Sequence, residues 1–238
     1  MEFGSSKDYI GNELEIFSHA RNWGKYLAKQ VLPYVGGTVI EVGAGMGTRT
    51  KIFCNAATKY LATEPDFKMY SNLANEVRTN TQMQNVEPLH GILQNVPEGI
   101  FADSLIYIDV LEHIEADQEQ LEIAMSKIRP GGYLVVLSPA HQWLFTDFDR
   151  AIGHFRRYSK KSLLKISPPD SDVICVKMLD SFGMLASLGN CFFLNNAKPS
   201  KDQILVWDRL MVPISNYLDR ILDFSIGKSI LVVWKKKQ

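Results

Sequence analysis

The chain has 238 residues, of which 46% are hydrophobic and 11% aromatic, so it can bury a substantial core and is not disordered as a whole. Its 26 Lys and Arg residues balance 26 Asp and Glu residues, which gives a formal net charge of zero. This balance argues against a broadly basic nucleic-acid binder, whose affinity comes from an excess of positive charge.

Short apolar runs alternate with helical patterns along the chain, which is typical of an α/β sheet. An opening helix over 13–32 places a set of apolar residues near one face. These are Leu14, Phe17, Trp23, Leu27 and Val31. Predicted strands then cover 38–43, 58–63, 84–90, 103–109 and 132–138. Predicted helices cover 47–57, 66–79 and 117–128.

The helix at 117–128 opens with Asp117 and Gln120 in a capping-box-like arrangement. Beyond Ser138 we expect an irregular aromatic stretch to Tyr158, and then further elements. They are a helix from about 160, a strand at 172–179, a helical insertion and a last strand at 229–235. We expect the apolar residues of the insertion to add core rather than to form a lid or an acceptor wall. They are Trp207, Leu210, Met211, Ile214, Tyr217, Leu218 and Leu222.

Segment 39–48, VIEVGAGMGT, runs from a strand into closely spaced glycines, where the backbone can approach a ligand. Gly43, Gly45 and Gly47 lack the GxGxxG spacing of dinucleotide sites, because a threonine stands where the third glycine belongs. Glu41 would repel a pyrophosphate, but it can accept hydrogen bonds from a ligand ammonium or from backbone amides. The pattern therefore indicates an aminoacyl nucleoside, with a glycine-rich turn that binds nothing as the alternative.

Two further acids follow predicted strands. Glu64 lies 21 residues after Gly43, where a doubly wound sheet places an acid against ribose hydroxyls. Asp109 opens the polar run DVLEHI at the end of the fourth predicted strand. Because open α/β sheets bind ligands beyond the carboxyl ends of their strands, we expect both acids to face the glycine loop.

The cysteines and the chain start predict a cytosolic protein. Cys54, Cys175 and Cys191 are an odd number in apolar contexts, which favours reduced core thiols. Residues 1–15 have neither a basic start nor an apolar segment of the secretory type. No apolar run approaches the roughly 18 residues that a spanning helix needs. The histidines form no HxxxH pair, so we expect no metal.

Four segments in this order, EVGAGMG, ATEPD, IDVLEHI and IRPGGYLVVLSPA, resemble the class I S-adenosylmethionine-dependent methyltransferases. Segment 148–158, FDRAIGHFRRY, resembles the GHxRRY element of a bacterial branch that methylates small molecules. The resemblance covers nearly all of the chain from Tyr9 onward. It implies a Rossmann-like, doubly wound α/β fold with a seven-strand sheet in the order 3-2-1-4-5-7-6. The last strand would be antiparallel and preceded by the helical insertion.

The resemblance implies S-adenosylmethionine as cofactor and S-adenosylhomocysteine as product. Contacts would come from Glu41, Gly43, Gly45, Glu64 and Asp109. Many relatives carry an aspartate after the third strand near the adenine, but Ile92 stands about there. We therefore expect backbone groups and apolar packing to hold the adenine. Neighbouring positions complete the predicted cofactor set: Ala44, Gly47, Pro65, Leu93, Val110 and His113.

Methyl transfer requires an aligned acceptor and, where that acceptor carries a proton, a group that removes it. The predicted catalytic residues are His154, His113 and His141, with Tyr158 as an orienting hydroxyl. Packing beside the cofactor is the alternative role of His113. Asp180 and Ser181 are weaker candidates for the acceptor pocket, and Arg156 and Arg157 could form structural ion pairs.

We interpret 1–238 as a single domain. It divides into a cap helix at 7–32, a cofactor-binding core at 33–138, an acceptor-side elaboration at 139–228 and a last strand at 229–235. The predicted function is methyl transfer to an O, N or C atom of a small-molecule or sugar- or lipid-linked acceptor. A nicotinamide-dependent oxidoreductase and a non-catalytic cofactor-binding scaffold are the alternatives.

Two opposed charge runs bear on the partner. Five acids and no Lys or Arg lie in 112–122, and five Lys or Arg and no acid lie in 156–165. An anionic acceptor could therefore be drawn toward Arg156 and Arg157. We expect no nucleic-acid partner and no integral membrane contact, and docking on a membrane surface is left open.

Overall fold

A computed structural model describes residues 18–193 and 200–238 of the chain. Its centre is a seven-stranded sheet. The strands are β1 (Gly37–Val42), β2 (Ala57–Glu64), β3 (Val86–His90), β4 (Ala102–Ile108), β5 (Ile128–Pro139), β6 (Ser171–Leu179) and β7 (Ser229–Lys236). Their order is β3-β2-β1-β4-β5-β7-β6, and β7 runs antiparallel to both of its neighbours. The predicted fold class and strand order are confirmed.

Helices pack around this sheet. They are α1 (Arg21–Val31), α2 (Thr50–Phe53), α3 (Phe67–Thr79), α4 (Asp117–Ser126), α5 (Asp147–Ala151), α6 (Lys160–Lys165), α7 (Ser181–Phe193), α8 (Lys201–Val206) and α9 (Val212–Ile221). A π-helical stretch, Trp207–Met211, joins α8 to α9. In the part of the chain that the structure describes, no helix is long and apolar enough to cross a membrane.

The central strands are buried on both faces, as is usual where helices cover a parallel sheet. Val39 and Ile40 are adjacent in β1, and they point into separate cores on opposite sides of the sheet. The first core also holds Trp23, Leu27 and Val31 of α1, which confirms the buried face of the opening helix. Leu14 and Phe17, predicted on the same face, lie outside the described residues.

Several element boundaries differ from the prediction. The helix predicted at 47–57 is only the short α2 and a 3₁₀ turn, because the glycine loop continues to Arg49. Helix α4 ends at Ser126, and β5 begins at Ile128 rather than at 132. Pro88 is tolerated in β3 because this strand lies at the edge of the sheet and pairs with β2 alone.

The predicted capping box at Asp117 is wrong. The N-cap of α4 is Ala116, which offers no side-chain acceptor. Asp117 is the first residue inside the helix, and its carboxylate accepts a 2.7 Å hydrogen bond from the Tyr158 hydroxyl and pairs with Arg156. This acid therefore joins α4 to the loop after α5.

The continuous helix 201–221 buries a different face from the one expected. Its buried positions are Ile204, Asp208, Val212, Ser215 and Asp219. Leu210, Ile214 and Tyr217, which we expected in the core, are exposed by 62%, 41% and 68%. The buried face is half polar because its acids bind other elements, and this is why apolar spacing alone misidentified it.

Two of those acids connect the insertion to the rest of the fold. Asp208 accepts hydrogen bonds from the backbone N–H groups of Asn22 and Trp23, and so it caps the N-terminus of α1. Asp219 accepts from the backbone N–H groups of Asp180 and Ser181 and from the Tyr26 hydroxyl. Helix α9 is thereby fixed to the start of α7 and to α1.

We predict that Asp219→Ala lowers the free energy of unfolding by about 3 kcal/mol, because it leaves three buried donors without their acceptor. Denaturant unfolding measures this loss. Asp172→Ala is the control, since Asp172 is exposed and makes only a 3.7 Å ion pair with Lys237. Similar losses in the two variants would contradict the structural role of Asp219.

Candidate functional site

The glycine loop between β1 and α2 has a backbone that other residues rarely adopt. Gly43, Gly45 and Gly47 have φ angles of 69°, 56° and 84°. A Cβ at Gly43 would lie 2.7 Å from a methyl carbon of Val110, and one at Gly47 would lie 2.9 Å from Leu73. The absence of side chains thus lets this loop pack closely against the segments after β4 and on α3.

Glu41 is buried beneath the loop. One of its carboxylate oxygens accepts hydrogen bonds from the hydroxyls of Thr50 at 2.6 Å and Tyr60 at 3.0 Å. Burial raises the pKa of Glu41 to about 7, although these two bonds and the charge of Arg49 act to lower it. The acid that we predicted would meet a ligand is therefore oriented by two protein hydroxyls.

Glu64 at the end of β2 holds the same loop from the other side. Its carboxylate accepts the backbone N–H of Gly45 at 2.8 Å and that of Asp66 at 2.9 Å. Burial raises the pKa of Glu64, and the two hydrogen bonds oppose this rise. Each carboxylate oxygen accepts one hydrogen bond from the protein and keeps a second lone pair, so the carboxylate can still accept from further donors.

The segment after β3 lies beside Glu64. The Gly91 N–H donates to the backbone carbonyl of Glu64 at 3.0 Å, and Ile92 is half-buried. Leu93 is fully buried in the core, so any contact it makes with a ligand is through its backbone. Pro65 is exposed, and its carbonyl accepts from the ring of His90 at 3.1 Å.

Asp109 follows β4 with a φ of 56°, and its side chain is exposed. Loss of water to the surrounding protein raises its pKa, and the positive charges nearby, Arg49 foremost, lower it. Lys228 also faces Asp109, and its ammonium lies 5.1 Å from the centre of the Trp207 ring. Asp109 thus lies between two cationic side chains at the carboxyl edge of the sheet.

The loop after β5 carries the predicted catalytic residues His141 and Tyr158. His141 has a φ of 67°, and its Nε2 donates to the Gly227 carbonyl at 2.9 Å. The Tyr158 ring is buried and its hydroxyl is bound to Asp117. Tyr158 therefore anchors the loop, and its backbone carbonyl accepts the His141 N–H.

Asp149 on α5 organises the GHFRRY segment. It is buried, and its carboxylate accepts five hydrogen bonds, from Thr146, His154 and Arg157. Burial acts to raise the pKa of Asp149, but the bond from His154 and the charge of Arg157 prevail and lower it to about 2. The ionised acid fixes a proton on Nδ1 of His154, 2.9 Å away.

His154 and His113 meet at this point. Their ring centroids are 4.5 Å apart in an edge-to-face arrangement. Glu112 lies on the other side of His154, with a carboxylate oxygen 3.9 Å from Nε2. The fold therefore brings two of the three predicted histidines together with a buried acid, and it places His141 on the adjacent loop.

Arg156 and Arg157 are both paired with acids, Arg156 with Asp117 and Arg157 with Asp149. Each arginine therefore forms the ion pair within the protein that the sequence offered as its alternative role, and the attraction of an anionic acceptor stays a prediction. Asp180 is 1% exposed, and its carboxylate accepts from Gly183, Ser215 and Trp207. It therefore caps the N-terminus of α7, whereas the sequence had led us to expect that it lines the acceptor pocket.

Sequence reasoning did not identify Arg49, Asp149 or Glu112 as site residues. Asp149 and Glu112 lie inside the motifs FDRAIGHFRRY and IDVLEHI, but their partners are up to 42 residues away in the chain. Arg49 follows the glycine loop directly. The available signal was its positive charge, because a cation next to a predicted acidic site is a candidate partner for the acids.

Comparison with known proteins identifies the fold. No family model matches the sequence, and no curated protein does. A solved putative methyltransferase from Bacillus halodurans C-125 has a TM-score of 0.61 at 16% identity, covering 89% of this chain and 98% of that one. An S-adenosylmethionine-dependent methyltransferase from Clostridium acetobutylicum ATCC 824 has a TM-score of 0.60 at 10% identity, with coverages of 95% and 98%.

This is the class I methyltransferase fold. Coclaurine N-methyltransferase, solved with N-methylheliamine and S-adenosylhomocysteine, shares it with a TM-score of 0.61 at 13% identity, covering 91% of this chain and 72% of that one. The likeness of this chain to methyltransferases is one of fold. The GHxRRY branch and the individual site residues stay predictions.

We predict that Glu41→Gln stabilises the protein at pH 8 but not at pH 4.5. The pKa of Glu41 rises from 4.5 in the unfolded chain to about 7 on folding, so the wild-type chain loses stability as pH rises between these values. The amide removes this loss, for a gain on the order of 2–3 kcal/mol at pH 8.

Urea unfolding at the two pH values measures the difference. Glu87→Gln, at an exposed glutamate of β3, is the matched control and should show no such pH dependence. A Glu41→Gln effect that is equal at both pH values would contradict the raised pKa.

Proposed function

We propose that this protein is an S-adenosylmethionine-dependent methyltransferase that acts on a small-molecule or sugar- or lipid-linked acceptor. One observation carries the proposal. Glu41 lies near the end of β1, Glu64 ends β2 and Asp109 directly follows β4, so the three acids lie at the same edge of the sheet as the loop of left-handed glycines. The neighbours of the same fold are methyltransferases, among them one solved with S-adenosylhomocysteine, and they support the same reading.

The charges of this site suit the cofactor. S-adenosylmethionine carries a positive sulfonium and a positive ammonium, and its ribose offers two hydroxyl donors. Glu64 has lone pairs left for both hydroxyls, and charge-assisted bonds of this kind are strong. The acids Glu41 and Asp109 favour the positive groups, whereas they would repel the pyrophosphate of a nicotinamide cofactor.

When bound, the cofactor supplies an activated methyl on sulfur, so little covalent chemistry is left to the protein. The glycine loop and Glu64 would fix the nucleoside part, and the region around Asp109 would set the direction in which the acceptor approaches. We propose that the acceptor lies against the group formed by Glu112, His113 and His154. Glu112 and His113 lie in the turn after β4, next to Asp109, and His154 packs against His113; from this position the group would favour loss of the acceptor proton.

We predict that Glu64→Gln weakens the binding of S-adenosylhomocysteine by about 10- to 100-fold, because it removes the charge from the bonds to the ribose. Calorimetric titration of the purified protein measures the affinity. Glu87→Gln on the neighbouring strand β3 should bind like the wild type. Unchanged affinity in Glu64→Gln would remove Glu64 from the cofactor site.

We predict that the protein transfers label from methyl-labelled S-adenosylmethionine to a component of a cellular small-molecule and glycolipid extract. Mass analysis of the extract identifies the product, and the Glu64→Gln variant at limiting cofactor should form much less of it. Tight binding of S-adenosylhomocysteine without label transfer in any fraction would favour a non-catalytic binding role.

A further inference from the structure

Glu112 and His113 lie in the 3₁₀ turn Leu111–His113 after β4, and His154 lies 41 residues further along the chain from His113. A backbone hydrogen bond from the Phe155 N–H to the Glu112 carbonyl, 2.8 Å long, holds the two segments side by side. One side-chain nitrogen of each histidine and one oxygen of Glu112 all lie within 4.8 Å of one another. The three ligand-type groups therefore converge on one point.

Glu112 has an unusual environment. Its side chain is 0% exposed, and within the described ranges neither carboxylate oxygen makes a well-formed hydrogen bond; the Ser138 hydroxyl, also without a well-formed bond there, faces it. Buried polar groups in native proteins are nearly always paired, so an acid without donors points to a partner of another kind.

His154 is oriented to bind such a partner. Asp149 accepts a hydrogen bond from Nδ1–H of His154, and Nε2 of the same ring is directed toward Glu112. Asp149 is itself held by Arg157 and Thr146. A carboxylate behind a histidine ring, fixing its tautomer and orientation, is the usual support of a metal-binding histidine.

The distance between Nε2 of His154 and the Glu112 oxygen suits two ligands of one metal ion. At 3.9 Å it is too long for a hydrogen bond, which spans about 2.7–3.2 Å. Two ligands that each lie about 2.1 Å from one metal ion are separated by roughly 3 to 4 Å. The separation is therefore that of two ligands of a shared cation.

We propose that Glu112, His113 and His154 form a binding site for one divalent first-row metal ion, of the class that takes imidazole and carboxylate ligands, such as Zn²⁺. Three protein ligands leave a coordination position for water or another ligand. If the proposed function holds, that position suits an oxygen or nitrogen atom of the acceptor. The sequence led us to expect no metal, because these ligands become neighbours only in the folded chain.

The test uses the purified full chain without a histidine tag, stripped of metal by a chelator and then dialysed. Co²⁺ titration followed by visible absorption, and Zn²⁺ titration by calorimetry, should each give one equivalent per chain. Glu112→Gln and His113→Phe should lose this stoichiometric binding. Both are close in shape to the wild-type residues, and Glu112→Gln breaks no hydrogen bond that the structure shows.

Glu115→Gln, at an exposed acid three residues away, is the matched control and should bind like the wild type. S-adenosylhomocysteine affinity is measured in every variant, which verifies folding and separates the two proposals. Absence of stoichiometric binding by the wild type, or equal binding by Glu112→Gln, would overturn the metal site and leave a protonated Glu112. If the wild-type protein bound the metal ion but not S-adenosylhomocysteine, the result would count against the proposed function alone.

Discussion

A buried carboxylate is costly without donors, and this constraint shapes much of the protein. Several of the enclosed acids hold separate segments together. Glu64 joins β2 to the glycine loop, Asp149 gathers the GHFRRY segment, and Asp219 fixes α9 to α7 and α1. Most of these donors are backbone N–H groups or short hydroxyls, which hold an acid in place without adding a second flexible chain.

Glu112 stands apart from these acids, since it is equally buried but has no such donors among the described residues. This contrast distinguishes Glu112 from the other buried acids. The protein supplies five hydrogen bonds to Asp149, and both acids face the imidazole of His154. Asp149 accepts the bond from Nδ1–H, whereas the Glu112 oxygen lies 3.9 Å from Nε2. His154 therefore connects the Asp149 network to the proposed metal site.

Electrostatics separates the two halves of the site. On the side of β1 and β2, Glu41 and Glu64 form an acidic cradle that favours a positive ligand. Near Asp109, the positive charges of Arg49 and Lys228 oppose the field of the acids. Such a gradient helps to orient a ligand whose charge is concentrated at one end.

Much of this arrangement was visible in the sequence, and the reasons for the failures are physical. The strand order came from the resemblance to class I methyltransferases. The glycine loop and the acids Glu64 and Asp109 at strand ends follow from local patterns, because a parallel sheet brings its carboxyl ends together. The buried face of helix 201–221 did not follow, since Asp208 and Asp219 look like surface residues until their partners are known. The Glu112, His113 and His154 group was equally hidden, because no local spacing records a contact between loops.

The cap that Asp208 provides to α1 can form only after most of the chain has been synthesised. The donor at Trp23 and its acceptor are separated by 185 residues, so they meet only late in synthesis. At about 5–20 residues per second, α1 waits roughly 10 to 40 seconds on the ribosome before its cap is made. During that interval the apolar face of α1, with Trp23 and Leu27, lacks the partners that come later in the chain. Helix α1 therefore reaches its final position only after the segment around Asp208 has been made.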